Sequence, residues 1–218
     1  MRTEKVIESY PYQEVQVRHL TLPRKAAQYL VIKRLIDIAL AGTGIVLTFP
    51  LIIIFAVLIV LESPGSPFYF QERVGKGGKC FNIIKLRSMR NDAEMHGAKW
   101  AAINDPRITK VGEFIRKTRI DELPQLLLVI KGDMSLIGPR PERPMFTEQF
   151  NKEIYGFKNR LLVKPGLTGL AQVNGGYDIT PREKLKYDLE YIQNLAFELE
   201  VKILLKTFRI VFTGEGAR

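Results

Sequence analysis

The feature that most constrains this chain is a run of 24 consecutive uncharged, mostly apolar residues from Ile38 to Leu61. A run longer than about 18 such residues is a candidate membrane segment. It begins too deep in the chain, and is too long, to be the apolar region of a secretory signal peptide. The run therefore predicts a helix embedded in a membrane, since a helix buried in a soluble core is the weakest interpretation at this length.

Pro50 lies in the middle of this run. Proline has no N–H group and its ring collides with the carbonyl four residues earlier, so a helix kinks or breaks there. The halves have about 12 and 11 residues, and at ~1.5 Å per residue each covers about half of a ~30 Å hydrocarbon core. The run predicts either one kinked spanning helix or a re-entrant segment that turns at Phe49-Pro50.

Basic residues flank the run on both sides. They are Arg24, Lys25, Lys33 and Arg34 before it, and Arg73, Lys76, Lys79, Lys85, Arg87 and Arg90 after it. A spanning helix usually has more lysine and arginine on one side of the membrane than on the other. Basic residues at both ends favour the re-entrant form, with both ends on the cytoplasmic side and anionic membrane lipids as partners.

The composition and charge of the chain argue against several other kinds of partner and site. The chain has 33 lysines and arginines against 23 aspartates and glutamates, so its formal net charge is +10. Nucleic acid is not an expected partner, because the positive charge clusters beside the apolar run and no zinc-finger, RNP or clear helix-turn-helix pattern occurs. A single cysteine excludes an internal disulfide, and with only two histidines a structural zinc site is not expected.

The remaining sequence predicts an α+β fold that is predominantly helical. Residues 68–73 and 81–89 are aromatic and β-branched and flank a Gly-Lys-Gly-Gly turn, which predicts a small β-hairpin. Helical spacing follows around residues 108–117, 123–131, 144–162, 181–192 and 198–212, with amphipathic helices expected at the membrane interface. We divide the chain into an N-terminal extension (1–30), a re-entrant helix-break-helix (31–62) and a cytosolic-face domain (63–218), with 31–218 as one functional unit.

An acidic pair, Asp121-Glu122, follows a basic stretch that contains Arg116 and Arg119. Pro124 suits the first turn of a helix, so Asp121 is expected near a helix N-terminus, where backbone N–H groups attract phosphate. A carboxylate in this setting can bind Mg²⁺ or attack phosphorus. The simpler alternative, which this segment alone favours, makes Asp121 an N-cap and Glu122 a residue of a surface helix.

Two other segments have the character of phosphate binders. Lys85 and Arg87 are two residues apart and so lie on one face of the predicted strand. Arg140 stands between two prolines that fix its approach, and its planar guanidinium suits a diphosphate. The alternative in both cases is an ordinary solvated cation or one that meets anionic lipid.

Taken together, these segments resemble a known family, the bacterial sugar transferases, which are monotopic polyprenol-phosphate phosphoglycosyl transferases. The resemblance rests on KRLID (33–37), the Pro50-interrupted run, QERVG (71–75), KLRSM (85–89), DELPQL (121–126), KGDMSLIGPRPE (131–142) and KPGLTGLAQVNG (164–175). It extends from about residue 33 to 212, and the two longest strings make a chance match very unlikely.

The resemblance implies a bacterial enzyme of the inner membrane, active at its cytoplasmic face, in a small, near-minimal catalytic form. Such enzymes move a sugar-1-phosphate from a nucleotide diphosphate sugar, usually UDP-linked, onto undecaprenyl phosphate. UMP is released, and the product is the first lipid-linked sugar of an exopolysaccharide or other surface glycan. The resemblance also implies Mg²⁺ as the cofactor.

The resemblance further assigns roles to residues. Asp121 is the expected covalent nucleophile and metal ligand, forming an Asp-phosphosugar intermediate, and Glu122 is the second member of the catalytic pair. Lys85, Arg116 and Arg140 match cationic positions that handle phosphate. Asp188 matches a further acidic position near the site. Pro50 matches the break in the membrane segment.

Three departures from the family pattern are visible. Phe49-Pro50 replaces a common Ser-Pro, Arg119 stands two residues before the aspartate where serine is common, and Glu200 replaces a common aspartate. Two alternatives also stay open, namely a non-catalytic membrane-anchored binding module and an enzyme whose apolar helix spans the membrane fully. The sugar, the glycan, the role of residues 1–30 and the oligomeric state are not fixed by the sequence, and a homo-oligomer is compatible with it.

Overall fold

The structure, a computed structural model, describes residues 22, 24–93, 95, 105–175 and 179–213. Its helices are α1 (Arg24–Glu62), α2 (Lys110–Lys117), α3 (Leu126–Lys131), α4 (Pro144–Glu153), α5 (Leu170–Gly175), α6 (Pro181–Gln193) and α7 (Phe197–Thr213). Its strands are β1 (Phe68–Val74), β2 (Cys80–Leu86), β3 (Ser135–Ile137) and β4 (Gly166–Thr168). The predicted α+β, predominantly helical fold with a small hairpin is confirmed. Most of the predicted N-terminal extension lies outside the described residues, and residues 24–30 form the first turns of α1.

Helix α1 contains the whole apolar run and continues through Pro50. Pro50 therefore interrupts the helical hydrogen bonding without opening a non-helical turn at residues 49–50. Two residues earlier, the Thr48 hydroxyl donates to the Gly44 carbonyl at 2.7 Å. This kind of side-chain bond to the preceding turn accompanies helix bending. Among the described residues, α1 is the one helix that is long and apolar enough to cross a membrane.

One face of α1 packs on the rest of the protein along its entire length, and the opposite face is exposed. Its buried positions are Ala26, Lys33, Asp37, Ala41, Ile52 and Ile59. The apolar ones join three separate core clusters, which also contain Ile137 and Tyr191, Val129 and Met134, and Leu86 and Ile115. Helix α1 is thus a structural part of the protein body rather than a detached anchor, and its other face presents apolar side chains outward.

Polar contacts fasten both ends of α1 to the same body. Near its beginning, Arg34 donates hydrogen bonds to the carbonyls of Val129 and Ile130 at the end of α3. At its end, the Glu62 carboxylate accepts hydrogen bonds from the backbone N–H groups of Lys110 and Val111, at 2.8 and 3.0 Å. A carboxylate at this place satisfies free N–H groups at the start of α2.

The predicted hairpin forms with β1 antiparallel to β2, and its register runs from Phe68 opposite Leu86 to Val74 opposite Cys80. A short 3₁₀ turn, Lys76–Gly78, connects the two strands. Strand β2 ends at Leu86 rather than at residue 89 as expected, and Met89 instead forms an isolated bridge with Ile108. The hairpin places β2 against the 3₁₀ segment Ile120–Gln125 that follows α2.

A second, parallel sheet of two short strands was not predicted. Ser135 pairs with Gly166 and Ile137 with Thr168. The strands continue into a close backbone approach, since a Cβ atom on Gly166 would lie 2.0 Å from the Gly138 nitrogen. This contact fixes where the next loop, residues 138–141, leaves the sheet. The helix expected over 144–162 is divided into α4 and a 3₁₀ segment, Phe157–Leu162, by Gly156 at φ +79°.

Candidate active site

The acidic pair lies on the 3₁₀ segment Ile120–Gln125, and Arg119 sets its direction. Arg119 has φ +60°, the only left-handed non-glycine residue among those described. Such a conformation costs about 1–3 kcal/mol and is common at functional sites. It turns the chain sharply after α2, so that Asp121 and Glu122 point inward and are only 7% and 8% exposed. Neither is an N-cap, so the simpler sequence interpretation is wrong.

Glu122 is neutralised by two cations from different elements. Lys85 on β2 reaches its Oε1 at 2.6 Å, and the Arg140 guanidinium contacts both of its oxygens, with Nη1 at 3.4 Å from Oε2. Burial alone would raise the pKa of Glu122, but the charges and hydrogen bonds of Arg140 and Lys85 hold it well below its usual value. Glu122 is therefore a fixed negative charge.

Asp121 has a different environment, although it is the adjacent residue. Its one polar contact within the described part of the chain is Lys85 Nζ, 3.8 Å from Oδ2. Burial raises the pKa of Asp121 to about 6; the charge of Glu122 adds to the rise, and those of Lys85, Arg116 and Arg140 oppose it. Neighbouring carboxylates whose pKa values are driven apart commonly take different catalytic roles. Asp121 keeps oxygen lone pairs available for a ligand.

The structure thus brings together four of the predicted site residues by direct contact, and a fifth, Arg116, lies near them. The four are Lys85, Asp121, Glu122 and Arg140. Arg116 lies in the last turn of α2, half-buried, where its charge acts on Asp121. Three cations around two carboxylates leave a net positive pocket, which suits a ligand with two or more phosphate charges.

Asp188 is not at this pair. It is 2% exposed and forms an ion pair with Arg160, whose Nη2 lies 2.7 Å from its Oδ2. The same Nη2 of Arg160 donates to the Arg140 carbonyl at 2.7 Å. On the other side, Arg73 donates to the Pro141 carbonyl at 3.0 Å. Asp188 therefore acts through Arg160 on the backbone that carries Arg140.

Sequence reasoning did not assign roles to Arg73 and Arg160. Arg73 lies in a quoted motif, which was a usable signal. Arg160 lies in a stretch with no such signal, and its partner is 28 residues away along the chain. Both side chains are bound to the loop that presents Arg140, and a shallow depression, open to solvent, adjoins this loop and is lined by Arg140 and Arg160.

Of the two carboxylates in the pair, Asp121 is the one whose oxygens are available to Mg²⁺. Within the described ranges no group of three or more His, Cys, Asp and Glu side chains could hold a metal ion on its own. Mg²⁺ commonly takes only one or two carboxylates and completes its shell with water and substrate phosphates. Asp121, with no hydrogen-bond donor on its oxygens from the described residues, fits this pattern, whereas Glu122 is already bound by two cations.

The structure thus places a buried acidic pair, surrounded by cations, beside a long apolar helix. Residues 28–214 match the family described as bacterial sugar transferase. The chain belongs to this family and is a transferase.

Three relatives show how similar the chain is to other proteins of this kind. A Bacillus subtilis (strain 168) protein, whose name proposes it as an undecaprenyl-phosphate N-acetylgalactosaminyl 1-phosphate transferase, is 60% identical over 67% of this chain and 82% of its own. An Aeromonas hydrophila UDP-N-acetylgalactosamine-undecaprenyl-phosphate N-acetylgalactosaminephosphotransferase is 51% identical over 87% of this chain and 46% of its own. A Caulobacter vibrioides UDP-glucose:undecaprenyl-phosphate glucose-1-phosphate transferase is 39% identical over 90% of this chain and 74% of its own. The chain thus spans most of two relatives and less than half of the third.

Proposed function

We propose that this protein transfers a sugar-1-phosphate from a UDP-sugar to undecaprenyl phosphate and releases UMP, through a covalent intermediate on Asp121. The observation that carries the proposal is the asymmetry of the acidic pair. Glu122 is held ionised by Lys85 and Arg140, while Asp121 is left with one distant cation and unoccupied oxygens. The names of the relatives supply the substrate class.

In the first step, a carboxylate oxygen of Asp121 attacks the phosphorus attached to the sugar. The new bond is a carboxyl–phosphate bond, the bond broken is the one between the two phosphates, and its electron pair leaves with UMP. Arg116, Lys85 and Arg140 bind the phosphate oxygens and stabilise the charge that develops on them. Mg²⁺, when bound by Asp121 and the diphosphate, would supply further charge neutralisation.

In the second step, a phosphate oxygen of undecaprenyl phosphate attacks the same phosphorus. The carboxyl–phosphate bond breaks, its electron pair returns to Asp121, and the product is a lipid-linked diphosphosugar. Glu122 keeps Lys85 and Arg140 oriented during both steps, because its charge is fixed between them. The site returns to its starting state without a net change in protons on Asp121.

The position of α1 supports action at one face of the membrane. Both of its ends are fastened to the domain that carries the site, by Arg34 at one end and Glu62 at the other. A helix that fully spanned the membrane would carry one end to the opposite side. We therefore propose that α1 enters the membrane as one continuous helix, bent at Pro50 rather than broken there, and that both of its ends lie at the cytoplasmic face, where the phosphate of undecaprenyl phosphate meets soluble UDP-sugar.

Only the names of the relatives indicate which sugar the donor carries. Two of the three named above carry N-acetylgalactosamine in their names, at 60% and 51% identity. UDP-N-acetylgalactosamine is accordingly the first donor to test, with UDP-glucose as the comparison. The product would begin an exopolysaccharide or another surface glycan.

The test is UMP release from a panel of UDP-sugars in the presence of undecaprenyl phosphate and Mg²⁺. The wild-type protein is expected to release UMP, and Asp121→Asn is expected to reduce the rate at least about 10³-fold, because the amide cannot act as the nucleophile. Glu113→Gln, an exposed carboxylate on α2, is the matched control. If Asp121→Asn keeps a near-normal rate, the nucleophile assignment is wrong, and a membrane-anchored binding module becomes the better account if no donor yields UMP.

A further inference from the structure

A cluster of cations lies at the other end of the segment that carries the acidic pair. Helix α3 follows the 3₁₀ segment directly and ends at Lys131, and Gly132 terminates it in the left-handed conformation, φ +102°. A Cβ atom on Gly132 would lie 3.3 Å from both Arg34 Nη2 and Lys164 Nζ. The two nitrogens therefore flank one point on the surface and are close enough for a single phosphate group to bridge them.

Arg34 and Lys164 both have N–H donors that are not used in hydrogen bonds to the described residues. Arg34 uses two N–H groups on the Val129 and Ile130 carbonyls, and a guanidinium has five. The Lys164 ammonium has no hydrogen bond or ion pair with any residue that the structure describes, although the side chain is half-buried. Burial lowers the pKa of Lys164, the charges of Arg34 and Lys76 lower it further, and those of Asp37 and Asp133 oppose the fall. Two cations that face one another favour an anion between them.

The carboxylates closest to this cluster are already paired. Asp133 forms an ion pair with Lys131 at 2.7 Å. Asp37 accepts hydrogen bonds from the Ser135 hydroxyl at 2.8 Å and from the Leu136 N–H at 3.2 Å, and also faces Lys33. Neither carboxylate forms an ion pair with Lys164 within the described part of the chain, so the N–H donors of Lys164 stay available to another anion.

The cluster lies at the edge of the apolar, outward-facing surface of the protein. Val31 and Ile38 are three residues before and four residues after Arg34, so they share its side of α1, and both are exposed. Leu127 and Ile130 extend the exposed apolar surface onto α3. A ligand that contacts both the cation cluster and the apolar surface beside it has a phosphate head and apolar chains.

We propose that Arg34 and Lys164 form a binding site for the phosphate headgroup of an anionic membrane lipid, separate from the acidic pair. The lipid's phosphate lies against Gly132 between the two side chains, and its acyl chains lie along Val31, Ile38 and Ile130. The site holds one end of α1 and the end of α3 at a fixed depth in the membrane.

The experiment uses the full chain in a non-ionic detergent and follows its thermal unfolding while phosphatidylglycerol, phosphatidylcholine or inorganic phosphate is titrated. Phosphatidylglycerol is expected to raise the midpoint of wild-type unfolding, because a ligand that binds only the folded state stabilises it. Lys164→Gln is expected to weaken the apparent affinity about fivefold or more, since each basic residue contributes about that factor to binding an anionic surface.

The matched control is Lys117→Gln, which removes an exposed lysine from α2. Its affinity for phosphatidylglycerol should stay within about twofold of the wild type. Lys164→Met, which keeps the length of the side chain, is the second variant if Lys164→Gln does not fold. None of these readouts requires sugar-phosphate transfer, so the outcome is independent of the proposed reaction.

Each outcome decides the proposal. A Lys164-dependent shift with phosphatidylglycerol but not with phosphate or phosphatidylcholine supports the lipid headgroup. An equal Lys164-dependent shift with inorganic phosphate alone shows that the site takes soluble phosphate, and the lipid assignment is then wrong. If Lys117→Gln weakens phosphatidylglycerol binding as much as Lys164→Gln does, the site does not exist. The same conclusion follows if no anion shifts the unfolding midpoint.

Discussion

At the scale of single residues, the site owes its character to the different treatment of two adjacent carboxylates. Glu122 forms close ion pairs with two cations, Lys85 and Arg140. Asp121 is buried beside it with little compensation, so its pKa rises to about 6. This separation leaves Glu122 as a fixed charge, and it leaves Asp121, the proposed nucleophile, ionised at neutral pH but sensitive to mild acid.

A pH dependence follows from this raised pKa. The attacking form of Asp121 is ionised, so the rate of UMP release should fall as the pH drops through about 6, while Glu122 stays ionised because its pKa is lowered. Lys85→Met removes a cation that lowers the pKa of Asp121, so the fall should move to higher pH. Initial rates between pH 5 and 9 measure this, with Lys117→Met as the control. A fall centred near pH 4 in the wild type would contradict the assignment.

A second prediction concerns Asp188, which we interpret as a positioning residue. Asp188→Asn removes the closer of the two carboxylates that pair with the Arg160 guanidinium, which is 3% exposed, and leaves Glu142 at 3.8 Å. Removing one partner of a buried ion pair costs about 3–5 kcal/mol, and the remaining Glu142 keeps the expected loss toward the lower end of that range. The unfolding midpoint of the full chain should fall clearly, and the kcat for UMP release should fall more than KM rises, because Arg140 loses its orientation toward charge that develops in the reaction.

Glu190→Gln, an exposed change on the same helix, is the control for that measurement. An Asp188→Asn variant with wild-type stability would show that the pair with Arg160 is unimportant. A variant that loses stability but keeps the wild-type kcat and KM would show that Asp188 has a structural role alone.

At the scale of secondary-structure elements, the sequence predicted those whose signals are local. The Gly-Lys-Gly-Gly turn located the hairpin, and the helical spacing over 181–192 located α6, which begins with a capping box between Thr180 and Glu183. Strands β3 and β4 have three residues each, too few for a periodic pattern, and their pairing depends on glycines 138 and 166 meeting in space. The role of Arg160 was hidden for the same reason, because its partners are brought to it only by folding.

At the scale of elements, the testable prediction concerns the side of the membrane on which each end of α1 lies. Both of its ends are fastened to one body, so cysteines near each end should lie on the same side of the membrane. Gln28→Cys and Ser66→Cys, each in a Cys80→Ser background, place one thiol beyond each end of the apolar run. The exposed native Cys80 marks the side of the catalytic domain.

A membrane-impermeant thiol reagent measures this in intact and permeabilised cells. All three thiols should react only after the inner membrane is permeabilised. Labelling of Gln28→Cys in cells whose inner membrane is intact would show that α1 spans the membrane fully, and the re-entrant interpretation would then be wrong.

At the scale of the whole molecule, the membrane helix and the site form one structure. Helix α1 contributes to three core clusters, and α3, which Arg34 caps, follows directly from the segment that bears Asp121. Two groups of cations contribute to the net charge of +10: Lys85, Arg116 and Arg140 act on the acidic pair, and Arg34 and Lys164 lie at the edge of the exposed apolar surface.

The measurement that tests the central claim most directly is the intact mass of the protein after incubation with UDP-N-acetylgalactosamine, UDP-glucose and Mg²⁺ without undecaprenyl phosphate. We predict the addition of one sugar phosphate, located by peptide mapping on Asp121, absent from Asp121→Asn and discharged when undecaprenyl phosphate is added. A protein that releases UMP only when the lipid is present and never carries this mass, or that carries it on another residue, would contradict the account.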